Sequence, residues 1–286
     1  MLVIHFQNKE NRHKIMRPIL VATNFSERSN NAVLYAASLA QVFNSKLILF
    51  NAFRLPVHAA NSRLTVKSMD GLIKKNSDKL KDQALNLSKA FDIDVEYECK
   101  YVDLEQEIEH LMEENDSRLL VMGMSPKSME QNLLGNPTTT LISMRKFPVL
   151  AVPLNAKFSE IKNVLFACDL MEAIPLKSLA RLRQIAMLLQ SKVTIFHVEN
   201  KINELLTKGD ALKHIDNELE PVTHIYKNVK SNAVIEEIEK EIKASSADLL
   251  VMIPKKYGFW ESIVHKSKTR VMASGMNIPL LSIAVE

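Results

Sequence analysis

Cationic side chains able to hold an anion gather in one stretch: Lys255, Lys256, His265, Lys266, Lys268 and Arg270 fall within sixteen positions. Charge-assisted hydrogen bonds from such groups can bind an anionic ligand, and a solvated basic surface is the plainer expectation. Phe259 and Trp260 lie within this stretch, as a cover over a ligand or, more simply, as an anchor for the loop. A second feature is Asn136-Pro137, which reads as a helix start with asparagine as N-cap and proline in the first turn. The N–H groups of that turn can receive an anion, although capping alone accounts for the pair.

Catalytic constellations are missing. The sequence contains no G-x4-G-K-(S/T), G-x-G-x-x-G, G-x-S-x-G or H-E-x-x-H run. Glu113-Glu114 and Glu236-Glu237 belong to helical charge patterns, where solvation is the ordinary role of a carboxylate. His110 and Glu113 share a helix face without further ligands, so no metal site is expected. Cys99 and Cys168 match no C-x-x-C spacing and support neither a disulfide framework nor zinc, which fits a reducing compartment. The expectation is a protein that binds and does not catalyse.

An internal repeat sets the elements that must position these groups. Ile19-Leu20-Val21-Ala22-Thr23-Asn24 recurs 145 positions on as Val164-Leu165-Phe166-Ala167-Cys168-Asp169, and Lys46–Asn51 recurs 146 positions on as Lys192–His197. Leu119–Met122 matches Leu249–Met252 at an offset of 130, and Pro148–Val152 matches Pro279–Ile283 at 131. The drop of 15 between the second and third landmarks places a shortening of the second copy in one connection. Ala32, Ala36, Leu39, Ala40 and Phe43 have helical spacing in the first copy, as do Leu176, Leu179, Leu182, Ile185, Ala186 and Leu189 in the second. Met69, Leu72, Ile73, Leu80, Ala84 and Leu87 predict a further amphipathic helix between Asn61 and Phe91, with Lys74, Lys75, Lys79 and Lys81 on its wet side. A strand near Val95–Tyr101, a helix from Glu105 to Glu114, the strand Leu119–Met122, a helix from Thr138 and the strand Val149–Val152 complete the copy.

Near-continuous apolar strands alternating with helices predict an α/β fold, with two tandem doubly wound domains of five parallel strands each. The expected domains span 16–153 and 160–286, joined by the polar stretch 154–160 after Pro153. Residues 1–15 read as an extension, with Met16 as an alternative first residue. At 286 residues and 47% hydrophobic content the chain can fill two cores without staples, and a net charge of +4 is too slight for a nucleic-acid footprint. No stretch approaches the roughly 18 apolar residues of a membrane helix, and Met1–Phe6 is too short for a signal peptide, so a cytoplasmic location is expected. In such sheets ligands bind beyond the carboxyl ends of the strands where strand order reverses. That rule selects Ala22-Thr23-Asn24, Asn51-Ala52 and the turn after Met122, and in the second copy Ala167-Cys168-Asp169, His197-Val198 and the turn after Met252.

The sequence at these places resembles the universal stress protein family: Asn24-Phe25-Ser26 follows the first strand, and Gly123-Met124-Ser125, then Gly135-Asn136, follow the fourth. The resemblance covers both copies and implies an adenine-nucleotide-binding α/β sandwich. The family signature is G-x2-G-x9-G-(S/T). Here Gly123 takes the first place, Pro126 stands at the second without an N–H, 12 positions separate Gly123 from Gly135, and Asn136 replaces serine or threonine. Asn24 replaces the family aspartate, although its amide still hydrogen-bonds. The second copy keeps Asp169 and Val198 at the family's acid and adenine-lining positions but carries Ile253-Pro254-Lys255-Lys256-Tyr257-Gly258 and His265-Lys266-Ser267 in place of the glycine loop.

By that resemblance Ala22, Thr23, Asn24 and Ala52 would lie near a base or ribose, and Gly123, Met124, Gly135, Asn136 and Thr138 near phosphates. Two readings follow. The leading one is a cytoplasmic stress-response adaptor with weak or lost nucleotide binding. The alternative is a switch that binds ATP or another adenine nucleotide, with magnesium when bound, in the first domain. Expected partners are the other domain of the same chain in a pseudo-two-fold pair, joined through Val149–Val152 and Leu280–Val285, with a homodimer and an unidentified protein partner as further expectations. Neither nucleic acid nor membrane is expected.

Overall fold

The computed structural model describes residues 16–53, 66–124, 137–170, 174–199, 208–254 and 278–284. Along the chain these form β1 (Met16–Ala22), α1 (Glu27–Phe43), β2 (Ser45–Ala52), α2 (Val66–Phe91), β3 (Val95–Lys100), α3 (Leu104–Glu114), β4 (Leu119–Gly123), α4 (Pro137–Met144) and β5 (Val149–Val152). The order then repeats as β6 (Asn163–Ala167), α5 (Leu176–Leu189), β7 (Lys192–Glu199), α6 (Lys208–Leu219), β8 (His224–Lys230), α7 (Val234–Ala244), β9 (Leu249–Met252) and β10 (Leu280–Ser282). The shortened connection is the crossover helix, 26 residues long as α2 and 12 as α6.

All ten strands join one sheet in the order β3-β2-β1-β4-β5-β10-β9-β6-β7-β8. Among the described residues pairing within each half is parallel and only β5 and β10 run antiparallel, with Leu281 opposite Leu150 and Leu280 opposite Ala151. That junction saturates two strand edges and leaves β3 and β8 at the outer rims. The fold is α/β and doubly wound, as the alternation of strands and helices predicts.

Side chains alternate across the sheet, so the strands feed two cores. Ile19 and Val21 of β1 belong to the core that also takes in residues of α1, α2, α5 and α6, whereas Leu20 and Ala22 belong to the core that takes in residues of α3, α4 and α7. The helix ends follow local chemistry. Asn44 and Gln190 close α1 and α5 in the left-handed conformation, at φ 48° and 53°. Asp103 caps α3 by accepting from the Glu105 N–H at 3.2 Å, which starts that helix at Leu104.

One sequence expectation differs from the structure. Leu176, assigned to the buried face of its helix, is 53% exposed. It is the first residue of α5, whose N-cap is Pro175 with no side-chain cap, and the apolar stripe engages only from Leu179 onward. The polar stretch 154–160 is held down at a few points: Ala156 is buried, Phe158 meets Tyr35 edge-on at 5.2 Å, and the Asn31 side chain donates to the carbonyls of Pro153 and Ala156, both at 2.8 Å.

Candidate functional site

The carboxyl ends of β1, β2 and β4 form a rim where the strand order turns, and β1 leads to it through an extended, fully buried run, Leu20-Val21. Beyond β1 the chain must leave the sheet and enter α1 within a few residues. Thr23 stays buried and takes a sheet-like bond, its N–H donating to Phe50 O at 2.8 Å. Its hydroxyl donates to Ser29 Oγ at 3.1 Å and accepts from the Phe25 N–H at 3.0 Å. Phe25 has a left-handed backbone, φ 62°, an uncommon conformation for a bulky residue. Ser26 then caps α1, its side chain accepting from the Ser29 N–H.

Asn24 is exposed, and its side-chain oxygen is engaged within the turn. It accepts from the Ser26 N–H at 3.1 Å and from the Ser29 hydroxyl at 2.9 Å. These are the bonds of an Asx turn, which organises the start of the helix. At the end of β2, the Asn51 amide donates to Thr23 O at 2.6 Å, and Cys99 of β3 donates its thiol to Asn51 Oδ1 at 3.5 Å. Burial pushes the Cys99 thiol above its ordinary value.

The end of β4 is tied down twice. A Cβ on Gly123 would stand 2.8 Å from the Arg28 carbonyl oxygen, so glycine lets β4 approach the first turn of α1. The Gly123 carbonyl accepts the Thr138 hydroxyl at 3.1 Å, which fastens the first turn of α4 to the strand end, and Thr138 is buried. Met124 continues the sheet by donating to Val152 O at 2.8 Å. Ala22, Ala52 and Met124 pack on the same core, together with Val102 and Leu104. The structure thus brings together Ala22, Thr23, Asn24, Ala52, Gly123, Met124 and Thr138, while Ser125, Pro126, Gly135 and Asn136 lie outside the described residues, as do Lys255 to Arg270.

Sequence reasoning missed the contribution of α2. Lys79 places its ammonium 4.2 Å from the centre of the Phe25 ring, and four residues on, Gln83 donates to Asn30 Oδ1 at 3.3 Å. Helical spacing put Lys79 on the wet face, and nothing in a run of lysines shows which of them crosses an aromatic ring. The left-handed state of Phe25 likewise has no sequence signal. Near the rim Lys100 joins Glu107 and Glu98, both at 2.7 Å, and those hydrogen bonds raise its ammonium above the ordinary value.

The second half repeats the geometry with different chemistry. The Cys168 N–H donates to Phe196 O at 3.0 Å, as Thr23 does to Phe50. His197 stands where Asn51 stands in the first half, buried to 2% exposure, with Nδ1 3.2 Å from both the Leu170 N–H and the Cys168 carbonyl. The Asp169 carboxylate is 3.9 Å from the same nitrogen. Among the described residues no group of three or more His, Cys, Asp or Glu could hold a metal ion, and no helix is long and apolar enough to cross a membrane.

Comparison with known proteins agrees with this architecture. Solved structures with the same fold include a universal stress protein from Archaeoglobus fulgidus, 16% identical, covering 94% of this chain and 96% of its own, with a TM-score of 0.71. A Pseudomonas aeruginosa chain provisionally assigned to the same family is 15% identical over 93% of this chain and 92% of its own, with a TM-score of 0.54. The cytoplasmic domain of a prokaryotic cation chloride cotransporter is 11% identical over 93% and 94%, with a TM-score of 0.55. No curated protein matches the chain. The family model for universal stress proteins matches residues 16–153, the segment that contains β1 to β5 and the rim just described. Residues 16–153 of the chain belong to the universal stress protein family.

Proposed function

We propose that the chain acts by binding and not by catalysis, as a cytoplasmic stress-response adaptor whose nucleotide binding is weak or lost. The observation that carries this reading is the use of Asn24. Its side-chain oxygen holds Ser26 and Ser29 within the turn, and the residue brings no charge to help coordinate a nucleotide and its metal. In the second half His197 closes on backbone groups of Cys168 and Leu170 in a similar way. Polar groups at both strand ends therefore serve the fold, and recognition falls to the outer surface. In this reading the two halves act as a tandem pair, 16–153 and 160–286, with an unidentified protein partner.

A second reading has one specific support. The Thr138–Gly123 bond holds the start of α4 at the end of β4, close in sequence to Asn136, while Ala22, Ala52 and Met124 line one side of the sheet with small or flexible apolar groups. A helix start beside an apolar rim suits an adenine nucleotide, ATP with magnesium among them. Denaturing freshly purified protein and identifying the released small molecules by mass spectrometry separates the readings. The adaptor reading expects no stoichiometric adenine nucleotide. Stoichiometric ATP that disappears in Gly135→Trp would overturn it in favour of the switch.

A further inference from the structure

His224 opens the outer strand β8, with its side chain 15% exposed and both ring nitrogens facing acceptors. Nδ1 lies 2.8 Å from the Val222 carbonyl, in the turn after α6, and Nε2 lies 3.0 Å from Asp216 Oδ1 on α6 itself. A neutral imidazole carries one N–H, so it can satisfy only one of these oxygens; the imidazolium satisfies both. Tyr226, two residues along β8, donates its hydroxyl to the same Asp216 oxygen at 2.7 Å, and its ring meets the imidazole edge-on at 5.7 Å. The hydrogen bonds from His224 and Tyr226 hold the Asp216 carboxyl below its ordinary value, so the acceptor stays charged into acid. Among the described residues, Asp216 from α6 and Tyr226 from β8 are the titratable groups that meet the ring, and the register neighbour on β7, Val193, carries no charge. The first half has no counterpart: Val95 opposes Leu47 where His224 opposes Val193.

We propose that His224 is a proton-operated clamp that holds α6 and its following turn on the outer edge of the sheet. With the ring doubly protonated, α6 is fastened through Asp216 and the turn through Val222. When the proton leaves, Nδ1–H keeps the Val222 carbonyl and the Nε2 lone pair faces the Asp216 carboxylate, so α6 loses one of its ties to β8. Ile215 and Leu219, the buried face of α6, are what that loosening would expose. The device is independent of whether a nucleotide binds in the first half.

The test is hydrogen–deuterium exchange of the full chain between pH 5.5 and 8, corrected for intrinsic rates, with α7 as the internal reference. Protection of α6 relative to α7 is expected to fall by about fivefold across this range, the equilibrium worth of one ordinary hydrogen bond. His224→Val, which installs the first half's residue, should make the ratio independent of pH. Asp216→Asn changes an exposed carboxylate, keeps the protein testable if the valine variant fails to fold, and should flatten the ratio equally. A wild-type ratio that does not vary with pH, or a pH dependence that survives in both variants, would overturn the clamp.

Discussion

Asn24 and Ser29 are bonded to one another across the turn that leads from β1 into α1, the serine hydroxyl 2.9 Å from the asparagine side-chain oxygen. Ser29 also faces the Thr23 hydroxyl at 3.1 Å, so three side chains close the turn that a ligand would have to share. Truncating Asn24 to alanine removes the acceptor for the Ser26 N–H and the Ser29 hydroxyl together. The expected loss is about 1 kcal/mol of stability, as for a helix cap, read by chemical denaturation.

Two glycines separate close packing from conformational freedom. Gly123→Ala places a methyl 2.8 Å from the Arg28 carbonyl, which is backbone and cannot rotate away, so a cost of about 1–3 kcal/mol is expected. Gly71 lies within α2, where an added methyl would meet nothing within 4 Å, and Gly71→Ala should instead stabilise by roughly 0.5–1 kcal/mol. Thermal melts of both variants check the contrast.

Leu150 and Leu281 oppose one another at the antiparallel junction of β5 and β10, and both are buried. Lysine at both positions puts two unpaired cations into that seam, and the double variant should lose several kcal/mol (about 3 or more) and expand in solution scattering. Unchanged stability and an unchanged radius would show that the junction does not hold the halves together.

Cys99 is held as a thiol by burial and donates to Asn51. Because the thiolate is the nucleophile, a raised thiol reacts more slowly at a given pH. Alkylation of Cys99 at pH 8 should be slower in the native protein than in the denatured chain. Asn51→Ala should speed it by opening the site.

Much of this fold was legible because strands buried on both faces are continuous apolar runs. Ile19–Asn24 and Val164–Asp169, or Leu119–Met122 and Leu249–Met252, announce themselves as recurring runs, and their order implies the doubly wound sheet. The rim was legible through the rule that ligands meet α/β sheets at strand ends, which brought Thr23, Ala52 and Gly123 together before any contact was known. What stayed hidden is specific to side-chain geometry. That Asn24 turns its oxygen back onto Ser29, that Phe25 adopts a positive φ, and that Lys79 crosses the Phe25 ring depend on rotamers and local backbone states which spacing does not encode. Leu176 misled because periodicity does not mark the first turn, where an apolar residue can precede the packed stripe.

The most direct test of the central claim, that the strand-end polar groups serve the fold and leave nucleotide binding weak or lost, is calorimetric titration of the native full chain with ATP and magnesium. The account predicts no measurable heat of saturable binding at micromolar to sub-millimolar nucleotide. Saturable one-to-one binding in the micromolar range, abolished by Gly135→Trp, would contradict it and make the first half a nucleotide-binding domain.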